Sequence, residues 1–167
     1  MCISRDKIRL FFHAYLYFLV FIRVIYLPKI YKLFFLIQIM VSFRQYKTSS
    51  GKVVLLGKSA ETNEALVNQV ENREILLHTN APGSPFTNIK SDEEDLSKED
   101  LYESAVMCAK HSQDWRDNKR DVNIHAFSKT DVFKTKDMPL GTFGVKKFKE
   151  IKVKKQDILE FEKGIKN

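Results

Sequence analysis

The chain has 167 residues, 44% of them hydrophobic, and a formal net charge of +7. Its two cysteines, Cys2 and Cys108, give no disulfide framework, and it has no Walker loop, no G-x-S-x-G and no C-x-x-C pair, so the usual signatures of nucleotide hydrolysis, serine hydrolysis and zinc binding are missing. Much of the basicity is local: residues 1–39 hold six Lys and Arg against one Asp, and the other 128 residues carry a net +2.

Residues 1–39 also hold ten of the twenty aromatics, and from Leu10 to Leu27 only His13 and Arg23 interrupt an apolar run about as long as a membrane span. Two readings of this leader stay open. In the preferred one the start is over-extended: Phe, Ile, Leu, Tyr and Lys are what translated AT-rich DNA yields, and the natural product begins at Met40. In the other, residues 10–27 are a signal anchor flanked by Arg5, Lys7 and Arg9, although this buries Arg23 in hydrocarbon and leaves Lys29 and Lys32 on the far side. A cleaved signal peptide lacks its small-x-small site. The chain thus divides into a leader, 1–39, and a domain, 40–167, large enough for one core without staples. The cytoplasm is its expected location, with membrane anchoring through residues 10–27 as the alternative.

In the domain, Phe43 to Lys47 and Lys52 to Leu56 read as a hairpin around Thr48-Ser49-Ser50-Gly51. Ser59 caps a helix with apolar positions Leu66, Val67 and Val70, and Glu61 suits its macrodipole. Glu74 to His78 and Phe86 to Lys90 read as strands about a Pro82-Gly83 turn. Ser97 and Asp100 form an S-x-x-D capping signature ahead of a helix with Leu101, Tyr102, Ala105, Val106 and Ala109 on one stripe. Val122, Ile124 and Ala126 alternate with Asn123, His125 and Phe127 as in a half-buried strand. A lysine-bearing loop, Thr130 to Thr142, leads to basic strands over Val145 to Val153 with Phe148, Ile151 and Val153 as apolar positions, and a short helix from Gln156 to Lys163 closes the chain. The expected fold is α+β, a single domain of antiparallel hairpins with two main helices and a short C-terminal one.

Charge within the domain is segregated. Residues 61–103 hold eleven acidic and three basic side chains, whereas residues 110–155 hold thirteen basic and six acidic, a pattern that can present a basic face. Lys129, Lys134, Lys136, Lys146, Lys147, Lys149, Lys152, Lys154 and Lys155 are interleaved with Phe127, Phe133, Phe143 and Phe148, suiting phosphate neutralisation with base stacking; for Phe148 an inward, core-facing placement is the favoured expectation. Residues 77–90, L-H-T-N-A-P-G-S-P-F-T-N-I-K, place His78 at a strand end, a Gly83-Ser84 turn beyond it and Lys90 further on. Such a turn is either a phosphate cradle or a tight turn beside a structural histidine, and the second is preferred. Cys108 and His111 lack two further ligands for a metal, and Asp92 to Asp95 lack the spacing of a calcium loop, so neither a metal nor a cofactor is expected.

The ordered combination of G-K-S-A-E-T-N-E-A-L (57–66), the His78 to Lys90 segment, Ser128 to Thr130 and Pro139 to Phe143 resembles the NFACT RNA-binding domain family over residues 41–153. That family occurs within large ribosome-associated quality-control factors and fibronectin-binding-protein-A-like proteins, and as short standalone proteins. The resemblance implies a non-enzymatic module whose partner is RNA, tRNA or rRNA, and the ribosome, with no small-molecule substrate; tail addition by the large factors is not carried over. On this reading the contacts are His78, Gly83, Ser84 and Lys90 in the turn segment, Lys129, Thr130 and Lys134 in the loop, and Lys146, Lys147 and Lys149. The alternatives are an RNA-processing enzyme with His78 or His125 as general base, and a membrane-anchored adaptor if the leader is genuine.

Overall fold

The computed structural model describes residues 43–165. The leader, its anchor reading over 10–27 and Met40 lie outside the described residues, among which no helix is long and apolar enough to cross a membrane.

Strands β1 (Arg44–Lys47) and β2 (Val53–Leu56) form the expected hairpin, with Gly51 at φ 91° in its turn. Helix α1 (Ala60–Gln69) starts at a full capping box in which Ser59 and Thr62 satisfy each other's backbone N–H. β3 (Glu74–Thr79) and β4 (Thr87–Asp92) flank the Pro82-Gly83 turn. Helix α2 (Lys98–Lys110) carries the second capping box, between Ser97 and Asp100. Then follow a short helix α3 (Gln113–Asn118), β5 (Val122–Ser128), a small ribbon of β6 (Val132–Phe133) and β7 (Gly144–Val145), β8 (Lys149–Val153) and α4 (Lys155–Ile165).

Six strands make one antiparallel sheet in the order β1-β2-β4-β3-β5-β8. Register assigns its two faces, because side chains alternate along each strand. On one face the rows Val54-Ile89-Ile75 and Leu56-Thr87-Leu77-Ala126 meet α2 and α4, joined by Ile124, Val122 and Val153. Ile124, Leu77 and Ile158 are fully buried there, and each such side chain contributes roughly 1.5–3 kcal/mol relative to exposure. Trp115, 1% exposed, brings α3 into the same core, and its indole N–H donates to Glu162 at 2.9 Å.

The other face carries Leu55, Asn88, Leu76 and Phe127 in one row and His78 opposite His125 in another. Helix α1 lies over β2 and β4 on this side, where Gln69 donates to Asn88 at 3.0 Å and Leu66 and Val67 are fully buried. Phe148 does not join the core as expected. Its even position falls opposite in parity to Ile151 and Val153, which pair with Ile124 and Val122, and β8 begins only at Lys149; the ring is 52% exposed.

Candidate nucleic-acid interface

A cleft of about 480 Å³ opens on the α1 side of the sheet. One wall is the turn from Pro82 to Phe86, the other the loop from Leu140 to Phe143, with the first turn of α1 between them. Two adjacent residues of α1 hold both walls. Asn63 accepts the Phe86 N–H at 3.1 Å and donates to Ser84 O at 3.5 Å. Glu64 accepts the Gly141 N–H at 2.8 Å and pairs with Lys134 at 2.5 Å. The hydrogen bond from Lys134, more than the surrounding charges, lowers the pKa of Glu64. Lys134 also donates to Pro139 O at 3.1 Å and Thr142 O at 3.4 Å, and sits 4.6 Å over the Phe143 ring.

The floor is aromatic. Phe86, 4% exposed, lies 4.5 Å from the His78 ring and meets Phe143 and Phe127 edge-on. His78 belongs to this framework: one ring nitrogen lies 2.7 Å from Thr79 O and the other 3.2 Å from Ser84 O. Burial lowers its pKa while the two carbonyls oppose that shift, and a neutral ring donates to only one of them. His111 is held down to about 4, first by burial and then by Arg44 and Lys110, and its Nε2 lies 2.8 Å from the Tyr46 hydroxyl. Cys108 lies buried in the core, its Sγ 3.7 Å from Pro85 O.

The cations lining the cleft are Arg44, Lys58 and Arg116; His78, His111 and His125 line it too, and no carboxylate does. Arg44 is anchored by donation to Gly57 O at 2.9 Å, and Lys58 and Arg116 are exposed. Sequence reasoning missed these three cations. Lys58 stood inside the G-K-S run and could have been found there; Arg44 and Arg116 lie on elements far apart in sequence and carry no local signal.

Of the expected contacts, His78, Gly83 and Ser84 line the cleft. Gly83 has φ 80°, and a Cβ there would stand 2.2 Å from Gln113 Oε1, so its lack of a side chain already serves the packing of the turn against α3. Ser84 is buried, its hydroxyl bonded to that of Thr79. Lys90 is not brought to the turn: it pairs at 2.5 Å with the buried Glu74 and donates to Gln69. Removing it would leave the buried Glu74 with its hydrogen bonds from the Glu71 N–H and Asn88 but without its cation. Lys129 donates to Val67 O near the end of α1, and Thr130 bonds Ser128 at 2.7 Å. Lys129 and Lys134 therefore serve the architecture of the loop. Lys146, Lys147 and Lys149 are exposed beyond the cleft, beside Phe148.

The fold is shared with the C-terminal part of the fibronectin/fibrinogen-binding protein of Streptococcus suis, with a TM-score of 0.63 and 19% identity over 71% of this chain and 48% of that one. The archaeal Rqc2 homolog aRqcH of Methanocaldococcus jannaschii is 34% identical over 68 residues, which are 40% of this chain and 10% of that protein. Over residues 42–147, well beyond half its length and including both walls of the cleft, the sequence matches a protein family, and the chain belongs to it: the NFACT protein RNA binding domain family.

Proposed function

We propose that this domain binds RNA in the cleft between the Pro82 to Phe86 turn and the Leu140 to Phe143 loop. The observation that carries this reading is the cleft's charge, with Arg44, Lys58 and Arg116 lining it and no carboxylate among its lining residues. Such cations displace the counterions condensed on phosphates, which gives affinity without base identity. Lys146, Lys147 and Lys149 extend the phosphate track beyond the cleft. Family membership supports RNA as the polyanion, and similarity to an archaeal Rqc2 homolog supports an RNA of translation, tRNA or rRNA, in ribosome-associated quality control. On this reading the module binds without catalysis, a role that membership of an RNA-binding domain family supports.

The test is fluorescence anisotropy of the full chain with labelled tRNA and with an rRNA hairpin across a salt series. Changing Lys58 and Arg116 to Gln should weaken binding and shallow the slope of log affinity against log salt by about 1.5, the share of two phosphates. Changing Lys146, Lys147 and Lys149 to Gln should shallow it by about 2 to 2.5. An unchanged affinity and slope in the first variant would remove the cleft from the binding surface.

A further inference from the structure

We infer that Phe148, laid over His125, is a stacking platform for an unpaired RNA base. The two rings lie 3.7 Å apart between centroids and 15° from parallel, so one face of Phe148 covers the imidazole. The phenylalanine is nonetheless 52% exposed. It precedes β8, and its parity directs it to the side of the sheet opposite Ile151 and Val153, so it adds nothing to the α2 core.

Position gives the ring a use. His125 also lines the cleft, so Phe148 prolongs the cleft floor outward along the sheet. Lys146, Lys147 and Lys149 surround it in sequence and are all exposed, placing phosphate-binding charge within a nucleotide's reach of the ring. Of the acidic groups nearby, Glu150 faces His125 Nε2 at 3.7 Å, and Glu93 and Asp131 share a second groove with Lys147, Phe148 and Lys149. A flat ring with an open face beside cations suits a splayed-out nucleotide, because every base has a π-face whereas bases inside a duplex are already stacked on each other. The platform therefore selects RNA with unpaired nucleotides, a preference that phosphate contacts alone do not give.

This inference rests on the RNA-binding reading, and the test separates the two. The full chain and its Phe148→Ala, Phe148→Leu and Phe148→Trp variants are titrated with a single-stranded oligoadenylate and with a blunt RNA duplex, their folded fraction being followed by circular dichroism. Phe148→Ala and Phe148→Leu should each lower single-strand affinity about tenfold, and Phe148→Trp should keep it or raise it. Duplex affinity and the salt slope should stay as in the parent. Equal losses on both RNAs, or full single-strand affinity in the leucine variant, would overturn the platform and leave RNA binding standing. A parent chain that binds neither RNA would overturn the RNA-binding reading and this inference with it.

Discussion

Gly141 sits where one wall of the cleft touches α1, and replacing it with alanine should damage the fold by a calculable amount. Its φ is 73°, and a Cβ there would stand 2.6 Å from Ala60 O and 2.7 Å from Ala60 Cα, main-chain atoms at the start of a capped helix. Holding an alanine in left-handed backbone costs roughly 1–2 kcal/mol, overpacking adds about 1–3, and the stiffer unfolded chain returns about 0.4–1. The sum for Gly141→Ala is a loss of about 2–4 kcal/mol. Gly51→Ala is the control: φ is 91° but no heavy atom lies within 4 Å of the added carbon, so only backbone strain applies, about 1 kcal/mol net. Urea unfolding of the full chain can be followed by the emission of Trp115, the only tryptophan and 1% exposed. The two midpoints should differ by about 1 M or more. Coincident midpoints would show that the loop yields at no cost and that its seat on Ala60 does not hold the wall in place.

Asp100 accepts Ser50 at 2.5 Å and Ser97 at 2.7 Å, and the hydroxyls of Ser50, Thr48 and Ser97, in that order, hold its carboxyl far below the usual range. A depressed folded pKa gives stability that is complete above about pH 4 and is lost as pH falls through the folded value; Asp100→Asn should flatten part of the decline in urea midpoint below pH 4, and an unaltered profile would refute the assignment. Burial pushes the Cys108 thiol up to about 12, so in a Cys2→Ser chain a thiol reagent at pH 8 should label it only at the rate of unfolding, with rapid labelling of that native chain as the contrary result. A chain started at Met40 should unfold cooperatively with the midpoint of the full chain; aggregation cured only by restoring residues 1–39 would make the leader structural.

Local signals were legible where they were complete within a few residues. The Ser59 cap, the Ser97–Asp100 capping box, the 48–51 turn and the β5 alternation each place a donor, an acceptor or an apolar face at fixed spacing, and the structure has all of them. Helix α3 was missed because Gln113-Asp114-Trp115-Arg116 shows no apolar period; one buried tryptophan anchors it. The basic face was read as a sum of lysines, but a lysine's use depends on what lies across from it. Lys90 meets Glu74, Lys129 meets a helix carbonyl and Lys134 meets Glu64, all contacts between distant segments. Arg44, Lys58 and Arg116 converge only once β1, α1 and α3 are packed.

Glu64 meets Lys134 across 70 residues of sequence and Gly141 across 77. All three cleft arginine and lysine residues, by contrast, lie before residue 117. During synthesis the cations are thus made well before the wall that confines their ligand. Closing so long a loop costs little more entropy than closing a shorter one, but it cannot occur before Gly141 exists. A chain interrupted anywhere between Arg116 and Gly141 carries the charge without the cavity, and meets polyanions as any basic surface would. On the proposed reading, the Glu64 clasp makes selective binding wait for Gly141, a form of timing set by where along the sequence that wall is encoded.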